Sequence, residues 1–289
     1  MARRALLLVN RHARTGHEQL ESAIDQLEAL GFELLEVSID RPDRLSQTIQ
    51  EYRDRVDLVI VGGGDGTLNA AVEGLVETKL PLGILPLGTA NDLARTLGIP
   101  PTLPEACQVI ADGKAQQIDL GWVNGKYFLN VASLGLSVQI TRGLTKTAKK
   151  RWGVLAYAAT AFQVLWKSRR FKAEIVCDGR SQQVKTVQIA VGNGRYYGGG
   201  MAVAEDAAID DERLDLYSLE IDHWWQMALA MPDLRRGTHT KSRWIQSWQG
   251  KEIFVYAPKP RSINTDGEIT TTTPAHFKVV PKALTVLVP

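Results

Sequence analysis

Cysteine is almost missing from this chain of 289 residues: Cys107 and Cys177 stand far apart, with no CxxC or HxxxH spacing beside either. That scarcity excludes a disulfide framework, offers no zinc-site pattern and fits a reducing compartment. Long apolar runs are missing too. After the charged start Met1 to Arg4, the stretch Ala5 to Val9 is too short for a signal-peptide core. No later segment reaches the ~18 uninterrupted apolar residues of a spanning helix. A soluble, cytoplasmic protein is expected, with any membrane contact peripheral. An excess of one charge is the third absence. With 34 Lys and Arg against 32 Asp and Glu the net charge is +2, and composition gives no argument for nucleic acid as a partner. Repeats and low-complexity tracts are also lacking. What remains, 44% hydrophobic and 23% charged residues, is ordinary globular composition, with length for two domains or one large one.

The first 120 or so residues alternate short apolar runs with helical periodicity, the pattern of a parallel sheet flanked by helices. Ala5 to Asn10, Phe32 to Ile39, Val56 to Val61 and Leu82 to Leu85 read as strands. Leu20, Ile24, Leu27 and Leu30, then Leu45, Ile49 and Tyr52, then Leu68, Ala71, Val72 and Leu75, repeat at helical spacing. Gly31 falls where the first helix would be capped. From about Asp119 the texture changes to strand-like runs separated by Gly and Asn, which places a boundary near Leu120 to Lys126. Tyr127 to Val131, Ala173 to Cys177, Val184 to Val191, Leu214 to Ile221, Ile253 to Tyr256, Phe277 to Val280 and Leu284 to Val288 read as short strands of a sandwich. Helical interruptions are expected over Lys146 to Ser168 and from Trp224 to about Trp248.

The chemistry concentrates in three segments. Val61-Gly62-Gly63-Gly64-Asp65-Gly66-Thr67-Leu68-Asn69 lies between a buried strand and a helix start, where glycines let the backbone approach a phosphate and helix N–H groups favour an anion. It is neither GxxxxGK[ST] nor GxGxxG, since it has no lysine and carries Asp65 in its middle. A carboxylate beside phosphates calls for a cation between them, so Mg²⁺ is implied. A plain glycine turn is the simpler alternative. Pro86-Leu87-Gly88-Thr89-Ala90-Asn91-Asp92 follows the next strand and should face the same crevice. Thr89 and Asn91 can donate to phosphate oxygens, or either can cap a helix. Asn264-Thr265-Asp266-Gly267-Glu268 is a polar turn in the second region. Alone, Asp-Gly is a hairpin signal. Beside a phosphate site, Asp266 could instead accept the proton of an attacking hydroxyl.

Taken together, Val59 to Asn69, Leu82 to Pro100, Asp119 to Val123, Asn130 to Leu136, Asn193 to Met201 and Asp266 to Glu268 resemble the soluble lipid kinases that share the diacylglycerol-kinase catalytic domain, most nearly the bacterial YegS-like branch. The resemblance spans nearly the whole chain. It implies an open parallel α/β nucleotide-binding domain of the phosphofructokinase and NAD-kinase type over 1–122, a β-sandwich lipid-substrate domain over 123–289, and ATP in the cleft between them. It assigns ATP contacts to Ser38, to Gly64, Asp65, Gly66, Thr67, Leu68, Asn69 and Ala70, and to Thr89. Asp65 and Asp92 would organise Mg²⁺ and phosphates, Asp266 would be the general base, and Glu268 would support it. A structural metal would be bound by the Asp211 side chain and the carbonyls of Ala208 and Arg213, with Asp119 linked indirectly.

The chain departs from the family at Ala70, where Glu is usual, at Ser38, where Thr is usual, at Glu212, where Gly is common in the metal loop, and at Ala204, where Pro is common. A lipid kinase must reach an interface without spanning it. Lys146, Lys149, Lys150, Arg151 and Trp152 form one basic and aromatic cluster; Trp224, Trp225, Arg235, Arg236, Lys241, Arg243, Trp244 and Trp248 form a second. Either can instead be core tryptophans with solvated cations. The expected activity is ATP- and Mg²⁺-dependent phosphorylation of a lipid hydroxyl, of diacylglycerol, phosphatidylglycerol or a similar alcohol, at the inner face of the membrane. An NAD kinase and a non-catalytic nucleotide or metal sensor of the same fold are the alternatives.

Overall fold

In a computed structural model, the described residues are 3–9, 17–39, 41–143, 169–239 and 242–289. They divide into two compact units: Met1–Leu120 with Pro281–Pro289, and Gly121–Val280. The expected helix over 146–168 and the first basic cluster lie outside the described residues. No described helix is long and apolar enough to cross a membrane.

The first unit is built from β1 (Arg3–Val9), α1 (His17–Ala29), β2 (Phe32–Ser38), α2 (Leu45–Tyr52), β3 (Leu58–Gly63), α3 (Asp65–Thr78), β4 (Leu82–Pro86), α4 (Asp92–Thr96), α5 (Leu103–Asp112) and the start of β5 (Ala115–Val123). Strands β2, β1, β3 and β4 lie in that order, all parallel. Residues Leu58 to Val61 and Leu82 to Pro86 are buried throughout, because helices take both faces of a parallel sheet. Leu20, Ala23 and Leu27 of α1 are buried at helical spacing, and Gly31 closes the helix at φ +92°. Residues 281–289, read from the sequence as part of the second domain, belong to this unit. The reason is the pairing of Val286 beside Leu82, parallel, at the edge of β4.

The second unit is an antiparallel sandwich. Its strands are β6 (Lys126–Phe128), β7 (Val131–Gly135), β8 (Phe171–Cys177), β9 (Arg180–Thr186), β10 (Gln188–Gly192), the short β11 (Tyr196–Tyr197) and β12 (Met201–Ala202), β13 (Leu214–Leu219), β14 (Ile245–Gly250), β15 (Glu252–Tyr256), β16 (Ser262–Thr265), β17 (Glu268–Thr272) and β18 (Ala275–Leu287). Helix α6 (Leu136–Gly143) follows β7, and α7 (Trp224–Arg236) follows β13. One sheet runs β14-β13-β10-β7-β16-β17, and β15, β8 and β9 pair in the other. Side chains of period two decide the layers. From β13, Leu214 and Leu216 enter the core between the sheets, whereas Tyr217 and Leu219 enter a second core under Ala230 and Leu234 of α7. Trp248 packs against the first core and Trp244 against the second, which is the packing role for both.

Three element expectations are corrected. Val184 to Val191 is two strands, because β9 pairs with β8 while β10 pairs with β7 and β13. The apolar run hides a change of sheet. Phe277 to Val280 and Leu284 to Val288 are one strand, β18, continuing through Pro281. The helix starting at Trp224 ends at Arg236, capped by Gly237 at φ +76°, and the residues that follow it include strand β14.

Candidate active site

Because β1 to β4 are parallel, their carboxyl ends share one edge. Ser38 ends β2 opposite Val9, Val9 is opposite Gly62, and Gly63 is opposite Pro86. The glycine loop and the Pro86 to Asp92 loop therefore leave neighbouring strands side by side. Gly64 is the N-cap of α3 in extended conformation, and no side chain caps that helix. The amides of Thr67 and Leu68 bond back to the Gly64 carbonyl at 2.9 and 3.1 Å, while Gly66 and Thr89 are exposed. An uncapped, accessible N-terminus of this kind favours an anion.

The glycines also serve each other. A Cβ on Gly88 would lie 2.5 Å from the Gly64 Cα, and one on Gly64 would lie 3.0 Å from the Gly88 Cα. Any side chain here would push the two loops apart. Asn91, at φ +50°, locks the second loop from inside: its Oδ1 accepts the Gly88 N–H at 2.9 Å, and its amide donates to the Gly88 carbonyl at 2.9 Å and the Pro86 carbonyl at 3.2 Å. Asn91 thus holds the N-cap position of α4, yet its side chain neither caps the helix nor remains a free donor.

The cap of α4 comes from the other loop. Asp65 accepts the N–H of Asp92 at 3.1 Å and of Leu93 at 3.0 Å, one on each carboxylate oxygen. A carboxylate at a helix N-terminus is stabilising, by about 0.5–2 kcal/mol for a cap. Asp92 itself is buried at 4% exposure. The arrangement ties both loops to one another.

In the second unit, Asp266 and Gly267 form the two-residue turn between β16 and β17, at φ +48° and +98°. Both left-handed positions mark the hairpin turn that Asp-Gly favours. The Asp266 carboxylate turns back to accept three backbone N–H groups: Leu129 at 2.6 Å, and Asn130 and Val131 at 3.0 Å each. Its own N–H donates to the Val131 carbonyl at 3.0 Å. Hairpin turn and carboxylate anchor are the same structure, and the hairpin reading of this segment holds. Glu268 is exposed at the start of β17.

Sequence reasoning gave no role to Asn193, which is 1% exposed. Its side-chain amide donates to the Leu129 carbonyl and its backbone N–H to the Asn130 carbonyl. It braces the segment that presents donors to Asp266. An asparagine flanked by Gly192 and Gly194 was the available signal.

The expected metal loop is a tight turn. Asp211 accepts the Arg213 N–H at 3.0 Å, and Glu212 sits at φ +58°, the conformation that favours the glycine usual there. Glu212 pairs with Lys251 at 3.0 Å. Among the described residues no group of three or more His, Cys, Asp or Glu could hold a metal ion, and the expected set offers one carboxylate, Asp211, with the carbonyls of Ala208 and Arg213. Asp119, 1% exposed in the first unit, accepts the Lys282 N–H at 2.8 Å.

Beyond that loop lies a cavity of about 420 Å³ lined by Asp206, Asp215, His239, Trp248 and neighbouring residues. Burial pushes the Asp215 carboxyl up to about 6, with Asp211 and Asp206 adding to the rise. Burial pushes His239 down to about 4 against the opposing pull of Asp233. The Ala202 backbone also favours the protonated ring, without meeting hydrogen-bond geometry at either nitrogen.

Comparison with known proteins covers the chain end to end. The diacylglycerol kinase catalytic domain matches residues 4–123, and the YegS C-terminal NAD kinase beta sandwich-like domain matches 130–288. Proteins named diacylglycerol kinase from two strains of Staphylococcus aureus, bovine RF122 / ET3-1 and MRSA252, are each 29% identical over all of this chain and 93% of theirs. A solved structure described as a diacylglycerol kinase from Bacillus anthracis str. Sterne is 26% identical, covers 99% of this chain and 97% of that one, and has a TM-score of 0.83.

Proposed function

This chain belongs to the family of the diacylglycerol kinase catalytic domain joined to a YegS-type C-terminal domain, and is a lipid kinase; from that premise we propose that it moves the γ-phosphate of ATP, with Mg²⁺, to a hydroxyl of a membrane lipid such as diacylglycerol or phosphatidylglycerol. The observation that carries the phosphate-holding role is the locked loop pair, where the uncapped start of α3 and exposed Gly66 and Thr89 border an edge that Gly64, Gly88 and Asp65 hold rigid. Ser38 ends a strand on the same edge, and Gly64 through Ala70 with Thr89 would make the nucleotide contacts.

The donor set fits a hard cation in chemistry. Asp65 accepts one N–H on each oxygen, from Asp92 and Leu93, and Asp92 adds a second carboxylate, oxygen chemistry that suits such a cation. Those two residues would hold Mg²⁺, which when bound neutralises charge developing on the phosphates. The loop carboxylate Asp211, with the carbonyls of Ala208 and Arg213, would serve a structural ion in the second unit.

In the transfer, the lipid oxygen forms a bond to the γ-phosphorus, the bond to the ADP oxygen breaks, and Asp266 accepts the hydroxyl proton. Three N–H bonds hold the Asp266 carboxylate in one orientation, aimed to take the proton late, from an oxygen already bonding to phosphorus. Glu268, exposed beside the turn, would support it. The test is transfer of labelled γ-phosphate to mixed micelles of diacylglycerol or phosphatidylglycerol, with NAD in parallel. Labelled lipid is the expected product; labelled NADP would move the protein to the NAD kinases, and nucleotide binding without any product would favour a sensor.

A further inference from the structure

Helix α7 is apolar on both sides. Its inner face, with Ala230 at 0% and Leu234 at 3% exposure, packs on the second core together with Met227. A surface helix normally turns charged or polar residues outward. Here the outward stripe at helical spacing is Trp225, Leu229, Pro232 and Arg236, with Ala228 and Arg235 beside it, all exposed. Trp225 is 44% and Leu229 53% exposed, one turn apart. Leu229 is the most exposed of the large hydrophobic side chains among the described residues.

The charge on this helix is one-sided. Asp233 is half-buried and accepts the Thr238 hydroxyl at 3.1 Å, turned into the C-terminal turn. Arg235 and Arg236 are exposed in the last turn, and neither makes an ion pair among the described residues. Arg243, also exposed, lies over the ring of Trp244 at 4.5 Å, and Trp244 packs in the same core as α7. An apolar stripe ending in unpaired arginines complements a surface with an apolar interior and anionic headgroups. It is too narrow for a protein partner: two large side chains supply a small part of the roughly 800 Å² per partner that a stable interface buries.

We propose that the outer face of α7 docks on an anionic lipid surface, with Trp225 and Leu229 entering the interface and Arg235, Arg236 and Arg243 facing the phosphates. The proposal deepens the lipid-kinase reading by naming the surface through which the enzyme meets its substrate.

The test measures sedimentation of the full chain with vesicles of phosphatidylcholine, or of phosphatidylcholine mixed with phosphatidylglycerol, without ATP. Binding is expected on the anionic vesicles only, and it should weaken with added salt. The double variant Trp225→Ser with Leu229→Ser replaces exposed side chains and should fold normally, yet bind about tenfold more weakly. Arg235→Gln with Arg236→Gln should lose most of the salt-sensitive part. Equal binding by wild type and both variants, or no wild-type binding, overturns the proposal. So does self-association of the wild type that the Trp225 and Leu229 changes abolish, because the face would then join two copies.

Turnover separates this proposal from the kinase reading. Both double variants should match wild type on a short-chain diacylglycerol dissolved below its micelle concentration and fall about tenfold on vesicles. A chain that docks through α7 but phosphorylates no lipid would refute the kinase reading and leave the docking standing.

Discussion

Asp65 and Asp266 are the same residue type in two differently built regions. Asp65 stands at the start of α3 and caps the start of α4, so it joins two loops of a parallel sheet edge. Asp266 occupies a left-handed turn position and binds three consecutive amides ahead of and within β7. Asp65 secures one short helix, whereas Asp266 secures both its own turn and the strand it faces. The carboxylate is in each case a backbone clamp, and the second clamp is the tighter one.

The sharpest test of that difference is Asp266→Ala. Turnover should fall at least about 10²-fold, as for loss of a general base. Urea unfolding should register a loss of about 3 kcal/mol, because three amides lose a charged acceptor. Asp266→Asn keeps a residue that tolerates the turn, but one oxygen becomes an NH₂ group facing an N–H donor. Its stability should drop by about 1–3 kcal/mol, so its activity must be read on a folded sample. Near-normal turnover by folded Asp266→Asn would remove the residue from the mechanism.

Two residues lining one cavity of the second unit should respond oppositely to acidification. The buried, neutral His239 has a folded-state pKa lowered to about 4 from 6.5. Its contribution is present above the unfolded value and is lost as pH falls from 6.5 through 4. Asp215, raised to about 6 from 3.8, runs the other way: its ionised form is disfavoured in the fold, and that penalty is relieved as pH falls from 6 to 3.8. Relative to wild type, His239→Phe should therefore gain about 2 kcal/mol in stability on going from pH 7 to pH 5. An unchanged pH profile in thermal melts would show that His239 titrates normally.

Gly88→Ala tests the loop contact in the first unit, where the new methyl meets the Gly64 backbone. Overpacking should cost about 1–3 kcal/mol and raise the KM for ATP. Gly66→Ala, with nothing within 4 Å of its Cβ, should stay within about 0.5 kcal/mol of wild type. Of the two clamp removals, Asp65→Ala should be the milder, losing about 0.5–2 kcal/mol, less than Asp266→Ala. Equal losses in chemical denaturation would break the comparison between the clamps.

The first unit was legible because each level agreed. Apolar runs, helical spacing and Gly31 gave β1 to β4 and α1 to α3 to within a few residues. Reading failed where a strand changes partners without changing composition. Val187 looks like its neighbours, yet β9 and β10 on either side of it pair in different sheets. Pro281 and Lys282, at φ +48°, look like a break, yet β18 passes through them. At the site, the residue types and their order were visible. Their partners were not: no local pattern says that Asp65 caps a helix beginning 27 residues later, or that Asp266 binds amides more than 130 residues earlier.

The linear sequence by itself determined β1 to β4 and α1 to α3 of the first unit, where the glycines and carboxylates stand, and the Asp-Gly turn, because periodicity and turn conformation act over a few residues. Only the tertiary structure decided that Gly64 and Gly88 exist for one another, that Asn193 braces the segment around Asp266, that Trp244 and Trp248 are core while Trp225 is not, and that residues 281–289 return to the first unit. These are contacts between residues distant in the chain, and packing rather than local propensity selects them.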